Sequence, residues 1–151
     1  MVVGVVYDPM AKETYAAECA GGATLKGEPV GGSDTDGLAR ALLGTSFFDR
    51  PEGMEVGLDL FGRFAGLARG MRRRGSGTLD LCCAAAGRLD GCYQQGFSAW
   101  DVAAGVLIVE EGGGDATDYR GGRLDSEESE ILVASNGLLQ PDLISVTNEY
   151  H

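Results

Sequence analysis

Asp101 is the residue of this sequence whose position most favours chemistry. It follows the chain's only tryptophan, Trp100, at the point where a loop gives way to an apolar run from Val102 to Val109. A carboxylate at a helix start is stabilised by the free N–H groups and the partial positive charge of that end. The same oxygen atoms can bind a hard cation such as Mg²⁺. One carboxylate is not a metal site, so further oxygen ligands would have to come from elsewhere.

A second candidate is the turn Arg74-Gly75-Ser76-Gly77-Thr78, which leads into a predicted helix. Backbone N–H groups at such a start can hydrogen-bond a hydroxyl or a phosphate, although many helices begin this way for capping alone. The turn matches neither the P-loop nor the dinucleotide-binding spacing. Gly112-Gly113-Gly114 follows a helix rather than opening one, and is interpreted as a C-terminal cap. Glu110 and Glu111, which end that helix, are expected to be exposed.

The elements that would position these residues alternate along the chain, which favours a mixed α/β or α+β fold. Apolar and β-branched runs predict strands over Val2–Tyr7 (expected to be buried), Glu13–Cys19, Ala41–Phe47, Met71–Arg74, Gly91–Gln95, Asp115–Tyr119 and Ile131–Ala134. Helices are predicted over Gly53–Arg69, Thr78–Arg88 and Asp101–Glu110, and Ser76 is the expected cap of the second. A last helix is predicted after Ser135-Asn136, where Pro141 must delay, kink or split it. The segments 21–22 and 26–29 are interpreted as turns, and 31–37 as a solvated loop rather than a calcium loop.

Composition excludes several classes of function. The net charge of -11 and the pI near 4.4 argue against a nucleic-acid-binding or anionic-membrane surface. The one dense basic run, Arg72-Arg73-Arg74, is interpreted as a solvated turn or a local anion contact. No apolar run reaches the ~18 residues of a membrane span, and no signal peptide is recognisable. We therefore expect a single cytoplasmic domain.

The cysteines predict no metal or disulfide framework. Cys19, Cys82, Cys83 and Cys92 form no C-x-x-C pair, and the single histidine is His151. Buried, reduced thiols are the expectation from this pattern.

Three blocks of sequence stand in a recognisable order and spacing. They are Gly4-Val5-Val6-Tyr7-Asp8-Pro9 with the residues to Gly27, Arg73-Arg74-Gly75-Ser76-Gly77-Thr78 with the residues to Gly91, and Trp100-Asp101-Val102-Ala103-Ala104-Gly105 with the residues to Gly113. Together they resemble the inositol monophosphatase family over nearly the whole chain, and the third block is the most specific. The resemblance implies a layered α/β/α/β/α sandwich, Mg²⁺ as the cofactor, and hydrolysis of a small phosphorylated polyol or sugar.

The resemblance also implies roles for individual residues. Asp101 would be a metal ligand that faces the substrate, and Gly75, Ser76 and Gly77 would lie along the substrate's hydroxyl groups. Gln94 stands where many relatives place a glutamate that contacts a substrate hydroxyl; an amide keeps an acceptor, adds a donor and loses the charge. Gly77-Thr78 replaces two alanines of many relatives. The family's D-P-x-D-G-[ST] segment and its upstream glutamate are not in this chain, which therefore resembles the family's C-terminal half.

Two hypotheses of different class follow. The first is the C-terminal part of a Mg²⁺-dependent inositol- or sugar-phosphate phosphatase, which is inactive alone and is completed by an N-terminal half. Within this class, fructose 1,6-bisphosphate and a nucleotide 3′-phosphate are alternative substrates. The second is a non-catalytic domain that has kept the scaffold for assembly or ligand binding. Sheet edges left by the missing half would favour self-association, so the expected partner is either a second copy of the chain or the missing N-terminal half.

Overall fold

A computed structural model describes residues 1–46, 53–125 and 129–149, which form two β-sheets and four α-helices. The first sheet is antiparallel, with the strand order β1 (Val3–Asp8), β2 (Glu13–Glu18), β3 (Gly22–Leu25) and β4 (Glu28–Pro29). The second sheet has the strand order β6 (Gly70–Arg72), β5 (Leu42–Ser46), β7 (Gly91–Gln95), β9 (Ile131–Ser135) and β8 (Asp115–Asp118). The helices are α1 (Met54–Leu67), α2 (Gly77–Ala85), α3 (Ala99–Glu111) and α4 (Gln140–Thr147). The expected mixed fold with layered sheets and helices is confirmed.

The second sheet separates two apolar cores. Helices α2 and α3 fill the space between the two sheets, whereas α1 and α4 cover the outer side of the second sheet. Strand β9 shows the division, because Leu132 packs in the inner core and Val133 in the outer one. Successive side chains of a strand point to opposite faces, so a strand buried on both faces reads as a continuous apolar run.

The first forty residues hold elements that the sequence did not predict. Strand β3 (Gly22–Leu25) lies largely between the two segments that were interpreted as turns, and β4 (Glu28–Pro29) takes the end of the second one. Lys26 and Gly27 form the turn that connects β3 to β4. Their φ values are 55° and 87°, as a tight hairpin turn requires. A short 3₁₀-helix, Leu38–Arg40, was also not predicted. Helix α2 ends at Ala85 rather than Arg88, and Phe47, the expected end of β5, lies outside the described residues.

The prediction that the first strand is buried is wrong. Val3, Val5 and Tyr7 are 55%, 58% and 58% exposed. Between them, Gly4 is buried against Ala104 of α3, where an added Cβ would lie 3.1 Å from the Ala104 carbonyl oxygen. Strand β1 is at the edge of the first sheet and only one of its faces meets α3. A β-branched run does not reveal how many faces are covered.

Other expectations have mixed outcomes. All four cysteines are free thiols, and three are buried as predicted, but Cys19 is exposed because it follows the end of β2 in a surface turn. Among the described residues, no helix combines the length and the apolar character that a membrane crossing requires.

Candidate functional site

The turn before α2 has the geometry of a capped helix start. Gly75 has φ = +87°, a left-handed conformation that favours glycine. Ser76 is the N-cap, as predicted, and its hydroxyl oxygen accepts a hydrogen bond from the Leu79 N–H at 3.4 Å. The helix begins at Gly77, so the N–H groups of Gly77 and Thr78 have no partner within the helix. These donors and the positive end of the helix favour an anion or a hydroxyl oxygen.

Asp101 lies in the first turn of α3, as the sequence predicted. The helix begins at Ala99 with Ser98 as its N-cap, two residues earlier than predicted. Oδ2 of Asp101 accepts a hydrogen bond from the Ser98 N–H at 2.9 Å, and the side chain is exposed. The capping interpretation is therefore confirmed. Trp100 is 84% exposed, because the first turn of α3 presents it to solvent.

The two helix starts are joined directly. The Thr78 hydroxyl donates a hydrogen bond to the backbone carbonyl oxygen of Asp101. Further along, α2 and α3 approach so closely that an added Cβ on Gly105 would lie 2.7 Å from Leu81 Cδ1. The glycine at position 105 thus allows the two helices to pack closely. The packing places Asp101 beside the turn that carries Gly75, Ser76 and Gly77.

Gln94 lies behind this turn, at the end of β7, and is only 1% exposed. Its Oε1 accepts a hydrogen bond from the Ser46 hydroxyl. A Cβ added to Gly77 would lie 2.7 Å from the same Oε1 atom. The glycine at position 77 therefore makes room for the amide at position 94. The structure brings Gln94 to the predicted site and buries it beneath the α2 start.

Asp80 is a neighbour that sequence reasoning missed. Its side chain is fully buried. Among the described residues, no donor lies within hydrogen-bonding distance and angle of either carboxylate oxygen. Burial raises the pKa of Asp80 to about 6, although the nearby Gln94 side chain and the Arg74 guanidinium both act to lower it. An aspartate in the first turn of a helix is typically an exposed, dipole-stabilised residue. The only local signal of burial is its apolar neighbours Leu79 and Leu81.

Two charged residues near the surface also have partners in the fold. Arg74 is exposed, as a solvated turn predicts. The Arg74 guanidinium donates to the sulfur of Cys83, so this arginine contacts a thiol in the folded chain. Glu111 accepts hydrogen bonds from the N–H groups of Ala20 at 2.8 Å and Gly22 at 2.9 Å. These two bonds lower the pKa of the Glu111 carboxyl group. The expectation of mere solvent exposure is therefore wrong for Glu111, while Glu110 is exposed as predicted.

The donor set for a magnesium ion is incomplete in this part of the molecule. Within the described residues, no three side chains of the His, Cys, Asp or Glu types come together in a group that could hold a metal. Mg²⁺ requires several oxygen ligands in near-octahedral geometry, of which water can supply only some. Asp101 is a single oxygen donor, so the residues present do not by themselves fit the ion, and we assign no reaction step to it.

Comparison with known proteins identifies the relatives of this chain. The model of the inositol monophosphatase family matches residues 1–151. The inositol-1-monophosphatase of Synechocystis is 40% identical over 142 residues, which are 93% of this chain and 49% of that protein. The Nus factor SuhB of Escherichia coli is 40% identical over 148 residues, which are 97% of this chain and 55% of that protein.

The solved structure of an inositol monophosphatase from Anabaena superposes with a TM-score of 0.93 at 38% identity, and covers 98% of this chain and 59% of the other. The chain therefore spans about half the length of the curated relatives that it matches. The family model matches the chain from residue 1 to residue 151, and the solved structure shares its fold, so the chain belongs to the inositol monophosphatase family.

Proposed function

We propose that this chain contributes the substrate-facing half of a Mg²⁺-dependent phosphatase site for a small phosphate monoester of inositol or a sugar. The observation that carries the proposal is the hydrogen bond from the Thr78 hydroxyl to the Asp101 carbonyl oxygen. It holds the starts of α2 and α3 together, so that one carboxylate and the donors of a helix start share a single surface.

The chain's own residues would bind and orient the substrate. The N–H groups of Gly77 and Thr78 offer hydrogen bonds to a phosphate or a hydroxyl oxygen, and the positive end of α2 favours a negative charge there. Gly75 and Ser76 set the shape of this turn. Gln94 supports it from below through its contacts with Ser46 and Gly77.

Asp101 would supply one oxygen ligand to the metal in the completed site. The Ser98 N–H holds its Oδ2 atom, which fixes the direction of the carboxylate. A bound Mg²⁺ in such a site supplies Lewis-acid chemistry to phosphate hydrolysis. The remaining ligands would come from the part of the family fold that this chain does not span, so the chain alone is inactive. The proposed location is cytoplasmic.

Phosphatase assays test the proposal. The purified chain is assayed with Mg²⁺ on inositol 1-phosphate, fructose 1,6-bisphosphate and a nucleoside 3′-phosphate, alone and co-expressed with the half of the Synechocystis relative that it does not cover. We expect activity only in the complex, with inositol 1-phosphate preferred. Asp101→Asn should lower kcat/KM at least ~100-fold, about 3 kcal/mol, without unfolding the chain. Asp142→Asn, an exposed residue in the first turn of α4, is the matched control.

Two results would count against this function. Activity of the isolated chain would mean that the metal ligands are complete within it. If a stable complex kept its activity after Asp101→Asn, Asp101 would not belong to the site.

A non-catalytic assembly role is the second candidate. Two observations favour it: several relatives, at 34–40% identity, carry the name Nus factor SuhB, and the described residues lack a metal cluster. Size-exclusion chromatography with and without Mg²⁺ separates the two functions. A stable oligomer that responds to neither Mg²⁺ nor inositol 1-phosphate would support the assembly role.

A further inference from the structure

The proposed function assigns no role to the buried carboxyl group of Asp80. This residue lies in the first turn of α2, two positions after Thr78, and its side chain is fully buried. Neither of its carboxyl oxygen atoms has a hydrogen-bond partner among the described residues. A buried carboxyl group without a partner costs free energy, and such groups in folded proteins are candidates for a functional role.

The amide nitrogen of Gln94 is a second buried group without a partner. Gln94 is 1% exposed, and its Oε1 atom accepts a hydrogen bond from the Ser46 hydroxyl, whereas its Nε2 atom donates to no described residue. An amide nitrogen is a donor only, and an ionised carboxylate is an acceptor only. One unused donor and one unused acceptor are therefore buried behind the same turn.

The second sheet brings these two groups side by side. Gln94 of β7 is opposite Ser46 of β5 in the register, and Gly44 lies two residues before Ser46 on the same face of the sheet. A Cβ added to Gly44 would lie 3.1 Å from Cγ of Asp80, so the carboxyl group lies directly over that glycine. Burial raises the pKa of Asp80, and the Gln94 side chain is close enough to oppose that shift.

The Gln94 amide has a defined direction at the turn. A Cβ added to Gly77 would lie 2.7 Å from Oε1 and 3.0 Å from Cδ of Gln94, so Oε1 is the amide atom that faces Gly77. The turn therefore has an acceptor beneath it. If the amide were reversed, the two N–H donors of Nε2 would lie there instead.

We propose that Asp80 is a positioning residue of the candidate site, whose ionised carboxylate accepts a hydrogen bond from Nε2 of Gln94 and so keeps Oε1 turned toward Ser46 and Gly77. The inference rests on the proposed function, because the turn that Gln94 supports is the one that would bind the substrate. A single hydrogen bond between Asp80 and Gln94 provides a partner for both of the unpaired buried groups.

Protonation of Asp80 would undo this arrangement. The O–H group of a neutral carboxyl requires an acceptor, and Oε1 of Gln94 is the buried acceptor beside it. Protonation therefore draws Oε1 toward Asp80 and away from Gly77. Because burial raises the pKa of Asp80 to about 6, the change falls close to neutral pH.

Few other charged or titratable groups surround Asp80. Arg74, in the turn before α2, acts to lower its pKa, while the Arg74 guanidinium donates to the sulfur of Cys83. Burial, and then the charge of Asp80, raise the pKa of Cys92 in β7, so this thiol is neutral. Strand β5 has no ionisable side chain. The carboxylate of Asp101, at the start of α3, is exposed and accepts a hydrogen bond at its own helix start.

Nuclear magnetic resonance of the isolated chain tests the positioning role without metal or partner. The probe is the side-chain amide of Gln94 in ¹⁵N-labelled protein, assigned by its loss in Gln94→Met and followed from about pH 4.5 to about pH 8. We expect the amide shift to titrate once, with a midpoint near 6, the pKa to which burial raises Asp80. The carboxyl carbon of Asp80 should titrate with the same midpoint.

Variants separate positioning from mere packing. Asp80→Asn keeps an acceptor oxygen for Nε2 but cannot titrate, so the Gln94 amide should remain in place and lose its titration. Asp80→Leu removes the acceptor, and exchange of the Gln94 amide protons with solvent should become at least ~10-fold faster. Asp142→Asn, in the first turn of α4, is the matched control and should titrate as wild type does.

Two results would overturn the proposal. One is a Gln94 amide that does not titrate in the folded wild-type chain, and the other is a titration that persists in Asp80→Asn. If the Asp80 variants fail to fold, the two wild-type midpoints decide the question, since unequal values would overturn the proposal and equal values would sustain it.

Activity of the complex with the uncovered half of the Synechocystis relative is scored separately. The KM of wild type for inositol 1-phosphate, divided by that of Asp80→Asn, cancels the titration of the substrate phosphate, whose second pKa is also near ~6. This ratio should rise at least ~5-fold as pH falls from about 7 to about 5, while the ratio of kcat values stays constant.

The outcomes distinguish this inference from the proposed function. A KM ratio that does not change with pH in an active complex would overturn the positioning role and leave the phosphatase function standing. An inactive complex in which the Gln94 amide still titrates with Asp80 would sustain the positioning of Gln94 and overturn the phosphatase function.

Discussion

The Thr78 hydroxyl donates a hydrogen bond to the backbone carbonyl oxygen of Asp101, which links the first turn of α2 to the first turn of α3. The two residues are 23 positions apart, and each belongs to a different sequence block of the candidate site. The bond therefore holds the start of α2 against the start of α3, so that the residues of both starts lie on one surface.

Thr78→Val tests this link, because valine keeps the shape and removes the hydroxyl donor. We expect the free energy of unfolding to fall by about 1 kcal/mol, the usual net contribution of such a hydrogen bond. Urea denaturation measures the change. Thr14→Val, at an exposed position of β2, should alter stability by less than ~0.5 kcal/mol. Equal effects of the two substitutions would show that the link does not stabilise the fold.

Gly105→Ala tests the close approach of α2 and α3. An added Cβ would lie 2.7 Å from Leu81 Cδ1 and 2.9 Å from Leu81 Cβ, so the helices must separate. We expect a destabilisation of about 1–3 kcal/mol, the usual cost of overpacking a core. Gly66→Ala in α1 is the control, because its Cβ would meet nothing within 4 Å. Alanine there should stabilise the helix by up to ~1 kcal/mol. If Gly105→Ala left the free energy of unfolding unchanged, α2 and α3 would have room for the added methyl group.

Asp101 caps its helix whether or not it binds a metal. Asp101→Ala loses the acceptor for the Ser98 N–H and should destabilise the chain by about 1 kcal/mol. Asp101→Asn keeps a carbonyl oxygen acceptor and should remain near wild-type stability. Thermal unfolding without added metal measures the capping contribution alone. If alanine and asparagine were equally stable, the carboxylate would have no capping role.

Asp80 makes the stability of the chain depend on pH. Burial raises the pKa of Asp80 to about 6, whereas the unfolded chain has the ordinary value near ~4. The folded protein then retains a proton that the unfolded chain releases. The contribution of this group to the free energy of unfolding is therefore full below about pH 4 and is lost as pH rises through about 6.

Asp80→Asn removes this titration. Relative to wild type, the variant should become more stable by about 1–2 kcal/mol as pH rises from 4 to 7. Urea denaturation across this range measures the difference, with Asp142→Asn as the exposed control. Parallel stability curves for wild type and Asp80→Asn would show that the buried carboxyl group titrates normally.

Local patterns in the sequence determined much of the fold and part of the site. The apolar run Ile131–Ala134 predicted a strand, and Ser76 predicted the start of α2. Asp101 was identified as a residue in the first turn of α3 from the boundary between loop and apolar run. Such features can be predicted from the sequence, because helix caps and side-chain periodicity depend on residues only a few positions apart.

Tertiary structure alone decided which of these groups are covered and which groups they meet. The run of valines in β1 does not show that one face is open, nor does Asp80 reveal that it is buried beside Gln94. Glu111 finds its N–H donors about 90 residues away, at Ala20 and Gly22. Burial and long-range hydrogen bonds depend on how distant elements pack, so no local pattern encodes them. The sequence alone could therefore name Asp101 and the Gly75–Gly77 turn, whereas packing of α2 on α3 placed them on one surface.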